Sequence, residues 1–353
     1  MDLKDVQWSE FNLNEIFPEI QRGKRLKKND HIVGTKPYIS SSGVNNGVDG
    51  FINNTENVRS FKKCLTLANS GSVGATFYQP FDFVASDHIT KLENKEFTKY
   101  VYLFISSISK RLGEKYSFNR EINDKRIQRE KIILPTNSKG EPDYDFMERY
   151  MRHIENEKVS KFHQYIAKRI EQVKNFVEVE NLKLKEWGEF FIEDIAQIVS
   201  GRDIYEAERI KGNTPYVSAT ANNNGIGYFV GNTNETLEEN CLSVNRNGSV
   251  GYSFYHNYKA LFSNDCRKLR LKNKSPFVGK FISRIITGQK EKYGYGYKMG
   301  TGRIKRQKIL LPIDKKGQPD YYYMENFIKK MEYEKLTKYI ERKTTKALTS
   351  VLR

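Results

Sequence analysis

Two groups of turn-forming residues in this chain carry side chains able to hydrogen-bond the edges of nucleic-acid bases. Direct readout of a duplex needs paired donors and acceptors: Arg or Lys toward guanine, Asn or Gln toward adenine, with Ser and Thr as adaptable partners. The first group comprises Lys24, Ser40, Ser41, Ser42, Asn45, Asn46, Asn69, Ser70, Ser72, Asn119 and Arg120. The second comprises Arg202, Ser218, Thr220, Asn223, Asn224, Asn245, Arg246, Asn247, Ser249, Tyr297 and Lys298. Asn, Ser and Gly also build turns, so each position has a purely structural explanation beside the chemical one. Arg246 is the strongest single candidate for a base contact. Lys62, Lys63, Arg126, Lys131, Arg303, Lys305, Arg306 and Lys308 are expected at phosphates or simply as solvated surface.

The two groups are copies of one another. The tract from Trp8 to about Ile166 recurs from Trp187 to about Lys343, with equivalent positions 177 to 179 apart. Lys36-Pro37-Tyr38-Ile39-Ser40 returns as Thr214-Pro215-Tyr216-Val217-Ser218, Asn45-Asn46-Gly47 as Asn223-Asn224-Gly225, and Gly71-Ser72-Val73-Gly74 as Gly248-Ser249-Val250-Gly251. A unit this long exceeds the roughly 20 to 50 residues of a solenoid repeat, so each copy is expected to be a domain with its own core. The frame is shared and the tips differ: "SSGV" answers "ATAN", "ANSGSVG" answers "NRNGSVG", and "SFNREIND" answers "GYGYKMGT". A tandem that read one sequence twice would keep its tips, so two different half-sites are expected.

The elements that must position these turns follow from the same pattern. "CLTLANSGSVGATFYQ" and "CLSVNRNGSVGYSFYH" read as strand, turn, strand, with residues 73–78 as the return strand of the first copy. A helix is expected over 99–112 and again over 276–287. From 144 to about 177 there is no Pro or Gly, and Met147, Met151, Ile154, Phe162, Ile166, Ile170 and Val173 fall at helical spacing behind a capping Asp143. Met324, Ile328, Met331, Leu336, Ile340 and Leu348 repeat the device. Each helix would be roughly 45 to 50 Å long. The expected fold is α+β: two tandem domains of irregular sheet with helices over 1–143 and 181–320, joined by long spacer helices over 144–180 and 321–353 that pair as an antiparallel coiled coil. An internal pseudo-two-fold then points equivalent faces the same way and predicts a bipartite duplex target. Tyr150, His153, Tyr165, Tyr333 and Tyr339 are candidates for docking partners on the outward helix faces.

Composition narrows the class. Lys and Arg number 60 against 43 Asp and Glu, a formal charge of +17 that attracts polyanions. The three cysteines and five histidines form no zinc or disulfide pattern; Cys64 and Cys241 occupy one position of the repeat and read as core. The N-terminus lacks an apolar leader and no apolar stretch spans a bilayer, so a cytoplasmic protein with no membrane contact is expected. There is no Asn/Asp-Pro-Pro-aromatic loop for a flipped adenine and no Walker spacing. Asp82 or Asp87 followed by Glu93-Asn94-Lys95 has the look of a nuclease motif, but the second copy lacks it. His88 beside Asp87 aligns with Cys266 beside Asp265 and reads as packed. No catalytic residue and no metal ligand is assigned.

The chain resembles the specificity subunits of type I restriction-modification systems and their type IIB relatives. The resemblance rests on "WSEFNLNEIFPEIQRGKRL" and "WGEFFIEDIAQIVSGRDI", "PYIS…NNG" and "PYVS…NNNG", the "GSVG" turns, and "KIILP…GEPDY" leading into a long helix, each present twice in order. It implies two target-recognition domains binding double-stranded DNA, with no cofactor held by this chain. It implies methyltransferase subunits that bind S-adenosylmethionine and modify adenine N6, and a nuclease either fused to them or present as a separate ATP-driven restriction subunit; Mg is implied on the partners. The "LP…KGEPDY" junction inclines toward the fused, type IIB-like arrangement. The competing readings are an RNA-binding or coiled-coil adaptor protein, whose Tyr- and Phe-rich loops would stack on single-stranded bases, and a stand-alone nuclease.

Overall fold

A computed structural model describes residues 2–117, 119–294 and 296–351, with side chains through residue 342. The chain divides into two compact units, residues 1–163 and 164–353. Each is built the same way.

In the first unit a four-stranded antiparallel sheet runs in the order Glu19–Arg22, Ile89–Glu93, Cys64–Ala68, Thr76–Gln79. Its central strand Cys64–Ala68 is buried at every residue. One face is covered by the helix Lys99–Ser109, which starts where the Thr98 hydroxyl accepts from the Val101 N–H. Leu65, Leu67, Leu92, Val101, Phe104 and Ile105 form one core with Met147 of the first long helix. A second sheet orders Val48–Ile52, Val33–Ile39, Phe83–Ala85 and Ser60–Phe61, the middle pair parallel. Trp8–Asn12 pairs with Lys131–Pro135 and brings the two ends of the unit together.

The second unit repeats this with Ala196–Ser200, Cys266–Leu271, Cys241–Asn245 and Ser253–His256 in its main sheet, under the helix Pro276–Gly288. Cys64, Cys241 and Cys266 lie in these cores, and burial pushes all three thiols up to about 12, so they stay protonated. The counterpart of Ser60–Phe61 is reduced to a single bridge between Glu238 and Ala260. The return strand of the first hairpin begins at Thr76 rather than Val73, because the turn extends to Ala75, whose N–H reaches back to Ser72 O.

The first long helix runs Tyr144–Val173, capped by the Asp143 carboxylate on the Phe146 N–H. The second runs Tyr321–Val351, and Asp320 caps it on Tyr323. Within the second unit the end of the first helix and the segment after it lie antiparallel to the start of the second. Arg169 meets Glu332, the Val177 N–H meets Asn326, and the Tyr323 hydroxyl meets the Glu180 carbonyl. Val173, Ile328 and Met324 are in one core there. The stripes are not uniformly covered: Phe162 and Met331 are exposed although they lie at core spacing, as is Ile340, and the side chain of Leu348 lies outside the described residues.

Two expected docking residues face inward instead. Tyr150 stacks with Phe146 and meets Phe104 edge-on, and Tyr333 packs on Phe176. An aromatic at that helix face is the seal of the helix against its own unit. His153 and Tyr165 are exposed, and Tyr339 is half-buried.

Candidate nucleic-acid interface

In each unit the hairpin turn and the loop around Ser41 or Ala219 meet at one end of the main sheet, while Asn45-Asn46 and Asn223-Asn224 lie at the other end. In the first, the hairpin turn after Ala68 holds Gly71 and Gly74 at φ +61° and +83°. A Cβ on Gly74 would lie 2.4 Å from the Gly113 nitrogen, so glycine is required by both conformation and space. The Ser72 N–H donates to Ser41 O and the Ile122 N–H to Asn69 O, drawing residues 41–43 and 119–122 against the turn. The second unit repeats the arrangement: Ser249 donates to Ala219 O, and the Asn245 amide side chain donates to Thr220 O.

Backbone hydrogen bonds give the equivalence of the two turns residue by residue. The Asn69 N–H donates to His88 O as the Arg246 N–H donates to Asp265 O, and Ala68 pairs with Ile89 as Asn245 pairs with Cys266. His88 therefore corresponds to Asp265, not to Cys266. The dipeptide alignment from sequence is one residue out because it matches Asp87 to Asp265.

Several nominated side chains are structural. Asn69, Ser70 and Asn245 are buried. Asn69 donates to Thr90 Oγ1 at 3.2 Å, and Ser70 is in hydrogen-bond contact with His88 Nδ1. Asn45, Asn46, Asn223 and Asn224 hold φ between 49° and 57°, a left-handed conformation that Asn tolerates better than other side chains. Asn46 donates to Gln79 and Asn224 to Tyr258, at the far end of each hairpin from the turn. Lys24 bonds Asn57, and Arg202 pairs with Glu235. Lys24, Asn45, Asn46, Arg202, Asn223 and Asn224 are exposed all the same, as are Ser72, Asn119, Arg120 and Tyr297, and Ser40, Ser41, Ser42, Ser218, Thr220, Arg246, Asn247, Ser249 and Lys298 are half-buried. Arg120 lies over the Tyr116 ring and Arg303 over Tyr297.

The electrostatics of the two ends differ. Arg25, Lys27 and Lys28 line an open cavity of about 500 Å³ together with Ser40, Ser41 and His88. At the equivalent place the second unit has Asp203, Tyr205 and Glu206. It has instead one cation on the turn, Arg246, and a second, Arg267, in the adjoining strand. Arg246 lies 3.5 Å from the Asp265 carboxylate, and buried Arg267 donates to Thr301 and to the Asn264 carbonyl. Burial, then repulsion from Arg246, holds the Arg267 guanidinium below its usual range. Sequence reasoning read His88 as a packed, hydrogen-bonded residue and gave Asp265, Thr90 and Arg267 no role; His88 is hydrogen-bonded to Ser70 but its side chain is half exposed, and the signal was that these places, at the start of a shared strand, differ between the copies.

The nuclease-like pattern does not converge. Asp87 precedes and Glu93 ends the strand Ile89–Glu93, which places them roughly 20 Å apart along an extended chain. Glu93 is spent on Lys91, and Lys95 pairs with Glu19, whose carboxyl is lowered to about 2 by that lysine and by Lys91. Among the described residues no three His, Cys, Asp or Glu side chains gather as a metal site, and no helix is long and apolar enough to cross a membrane.

Known proteins carry the same doubled plan. The family model for the type I restriction modification DNA specificity domain matches twice, at residues 5–162 and 184–342. The specificity subunit S.BcgI of a type II restriction enzyme from Heyndrickxia coagulans is 32% identical over 334 residues, covering 93% of this chain and 95% of that protein. The crystal structure of the type I restriction-modification S subunit from M. genitalium superposes with a TM-score of 0.55 at 16% identity, over 99% of this chain and 96% of that one. Two matches that together span most of the chain, with a relative alike over nearly its whole length, place the chain in the type I restriction-modification DNA specificity family.

Proposed function

We propose that this chain is the DNA-reading, non-catalytic subunit of a restriction-modification complex, and that its two units read two unlike half-sites of a split duplex target. The observation that carries the reading is the shared scaffold with exchanged tips. The turn frames of residues 68–74 and 245–251 share two glycines held at closely similar positive φ and four equivalent backbone hydrogen bonds, those donated by Ala68 or Asn245, Asn69 or Arg246, Ser72 or Ser249 and Gly74 or Gly251, while the side chains they present differ. Selection for one repeated word would have kept the presented chemistry alike.

The two long helices then serve as the spacer. The antiparallel seating of residues 169–180 on 323–332 supports pairing of the helices beyond the segment where it is seen. Adenine-N6 methyltransferase subunits, carrying S-adenosylmethionine, are the partners we propose, with the nuclease fused to them or separate. Exposed residues 156–161 of the first long helix offer them a surface.

The test is enrichment of duplexes from a randomised pool by the chain together with its neighbouring modification subunit. Two conserved blocks of different sequence, separated by a fixed unconserved gap, are expected. Enrichment of single-stranded RNA over duplex DNA would replace this reading with the adaptor alternative.

A further inference from the structure

We propose that Asp265 acts with Arg246 to read one G·C base pair, and that His88, at the same place in the first unit, is the corresponding reader of the other half-site. The inference deepens the function proposed above and rests on it.

Both residues sit on the loop beside the hairpin turn, fixed by the equivalent backbone bonds from Asn69 and Arg246. Both are outward-facing, with His88 exposing 49% of its side chain and Asp265 45%. Each is tied to the second residue of its turn. His88 contacts Ser70, and Asp265 accepts from the Asn247 amide at 3.2 Å. The contact is retained although both of its members have changed, so this position works as part of the tip rather than of the shared frame.

The hydrogen-bond inventory shows which groups are held for a ligand. Arg267 has its Nε on Thr301 and an Nη on backbone carbonyls of Asn264 and Cys266, so it is committed to the fold. Arg246 makes one 3.5 Å contact through Nη2, and its Nε is buried with no partner. The Asn247 Oδ1 next to it is likewise without a partner. With Nε enclosed, the Arg246 donors open to a base are those of its two Nη atoms, of which Nη2 is drawn toward Asp265, and such a pair of donors suits guanine O6 and N7.

An exposed carboxylate at a surface meant for a polyanion is repelled by phosphates and needs a compensating role. Asp265 is acceptor-only when ionised, which suits the cytosine N4 amino group across the pair from the guanine. Holding Arg246 in place is not a sufficient explanation for the position. The first unit has Asn69 where Arg246 stands, yet position 88 is still polar, half-exposed and bonded to the turn.

The experiment compares base preferences of the wild-type complex with those of Asp265→Asn, Arg246→Gln and His88→Asn by the same randomised-duplex selection. Asp265→Asn is expected to relax one position in one half, roughly tenfold or more, and Arg246→Gln to relax that same pair. His88→Asn should alter only the other half. The preserved preference in the untouched half shows that each variant is folded. A duplex whose cytosine at the relaxed pair lacks its 4-amino group should then bind the wild type worse and the Asp265→Asn variant no worse. An unchanged Asp265→Asn profile, or equal loss with the analogue in both proteins, overturns the inference and leaves the specificity-subunit reading intact. If the wild type itself selects no sequence, that reading fails and the inference with it.

Discussion

At the scale of single residues, the exchange of Gln79 for His256 shows how the copies diverge beneath their tips. Both sit opposite the first strand residue, Cys64 or Cys241, and both bond a hydroxyl of that strand, Thr66 Oγ1 at 3.0 Å or Ser243 Oγ at 2.8 Å. His256 is fully buried, and burial drops its pKa to about 4. An unfolded histidine titrates near its ordinary value of about 6.5, so between the two the unfolded chain binds more protons and stability falls as pH falls. The loss should approach roughly 3 kcal/mol between pH 6.5 and 4. Thermal melts across that window should show His256→Gln, which installs the side chain found at Gln79, losing less stability than the wild type; an identical pH profile would contradict it. Sequence marks the residues of the tips only in part, for a physical reason. Composition distinguishes turn from strand, so the clusters are legible. It does not say whether an Asn holds a left-handed corner and bonds back to the sheet, as Asn46 does to Gln79, or stands outward, as Asn119 does. His88 and Asp265 escape because their equivalence is written in backbone hydrogen bonds rather than in identity.

Among elements, the long helices are legible because thirty residues without Pro or Gly, with capping aspartates and a 3.6-residue stripe, leave few alternatives. Which side of each helix stays open is not legible. A stripe records periodicity but not how deeply each position is covered, so Phe162 and Met331 have the spacing of core residues and are exposed. Aromatic flank residues mislead in the opposite sense, since Tyr150 and Tyr333 complete the seal on their own units. The junction in the second unit depends on charge as well. Glu332 receives Arg169 and Lys280 in a half-buried cluster. Burial would raise its carboxyl, but the hydrogen bonds from Arg169 and then Lys280 outweigh it, and the pKa is lowered. This stabilisation is present above the unfolded carboxylate value and lost as pH falls through the folded one. Glu332→Gln leaves Arg169 mostly buried without its anion, and should cost roughly 2 kcal/mol at neutral pH, less than a wholly buried pair would. A urea midpoint equal to wild type would show that the cluster is only a solvated ion pair.

For the whole molecule, the charge of +17 is unevenly deployed. The first unit carries Arg25, Lys27 and Lys28 beside its tip, all exposed, where the second has Asp203, Tyr205 and Glu206 and places Arg246 on the turn instead. If those three cations neutralise phosphates, replacing them with Gln should flatten the dependence of log affinity on log salt by roughly 2 to 3. Base preferences in both half-sites should survive, because phosphate contacts position the protein without specifying sequence. An unchanged salt slope would mean that this loop faces away from the duplex. The doubled plan itself is the most legible feature of all, since equal spacing of matched segments needs no propensity argument. The central claim is that the two units read unlike words of one split target for a methylating partner. Mapping N6-methyladenine on plasmid DNA exposed to the chain together with the proposed methyltransferase subunit tests it most directly. The account predicts methylation at a single bipartite sequence with two different halves, of which only one changes when Arg246 is replaced by Gln. A continuous target, two identical halves, or modification independent of this chain would contradict it.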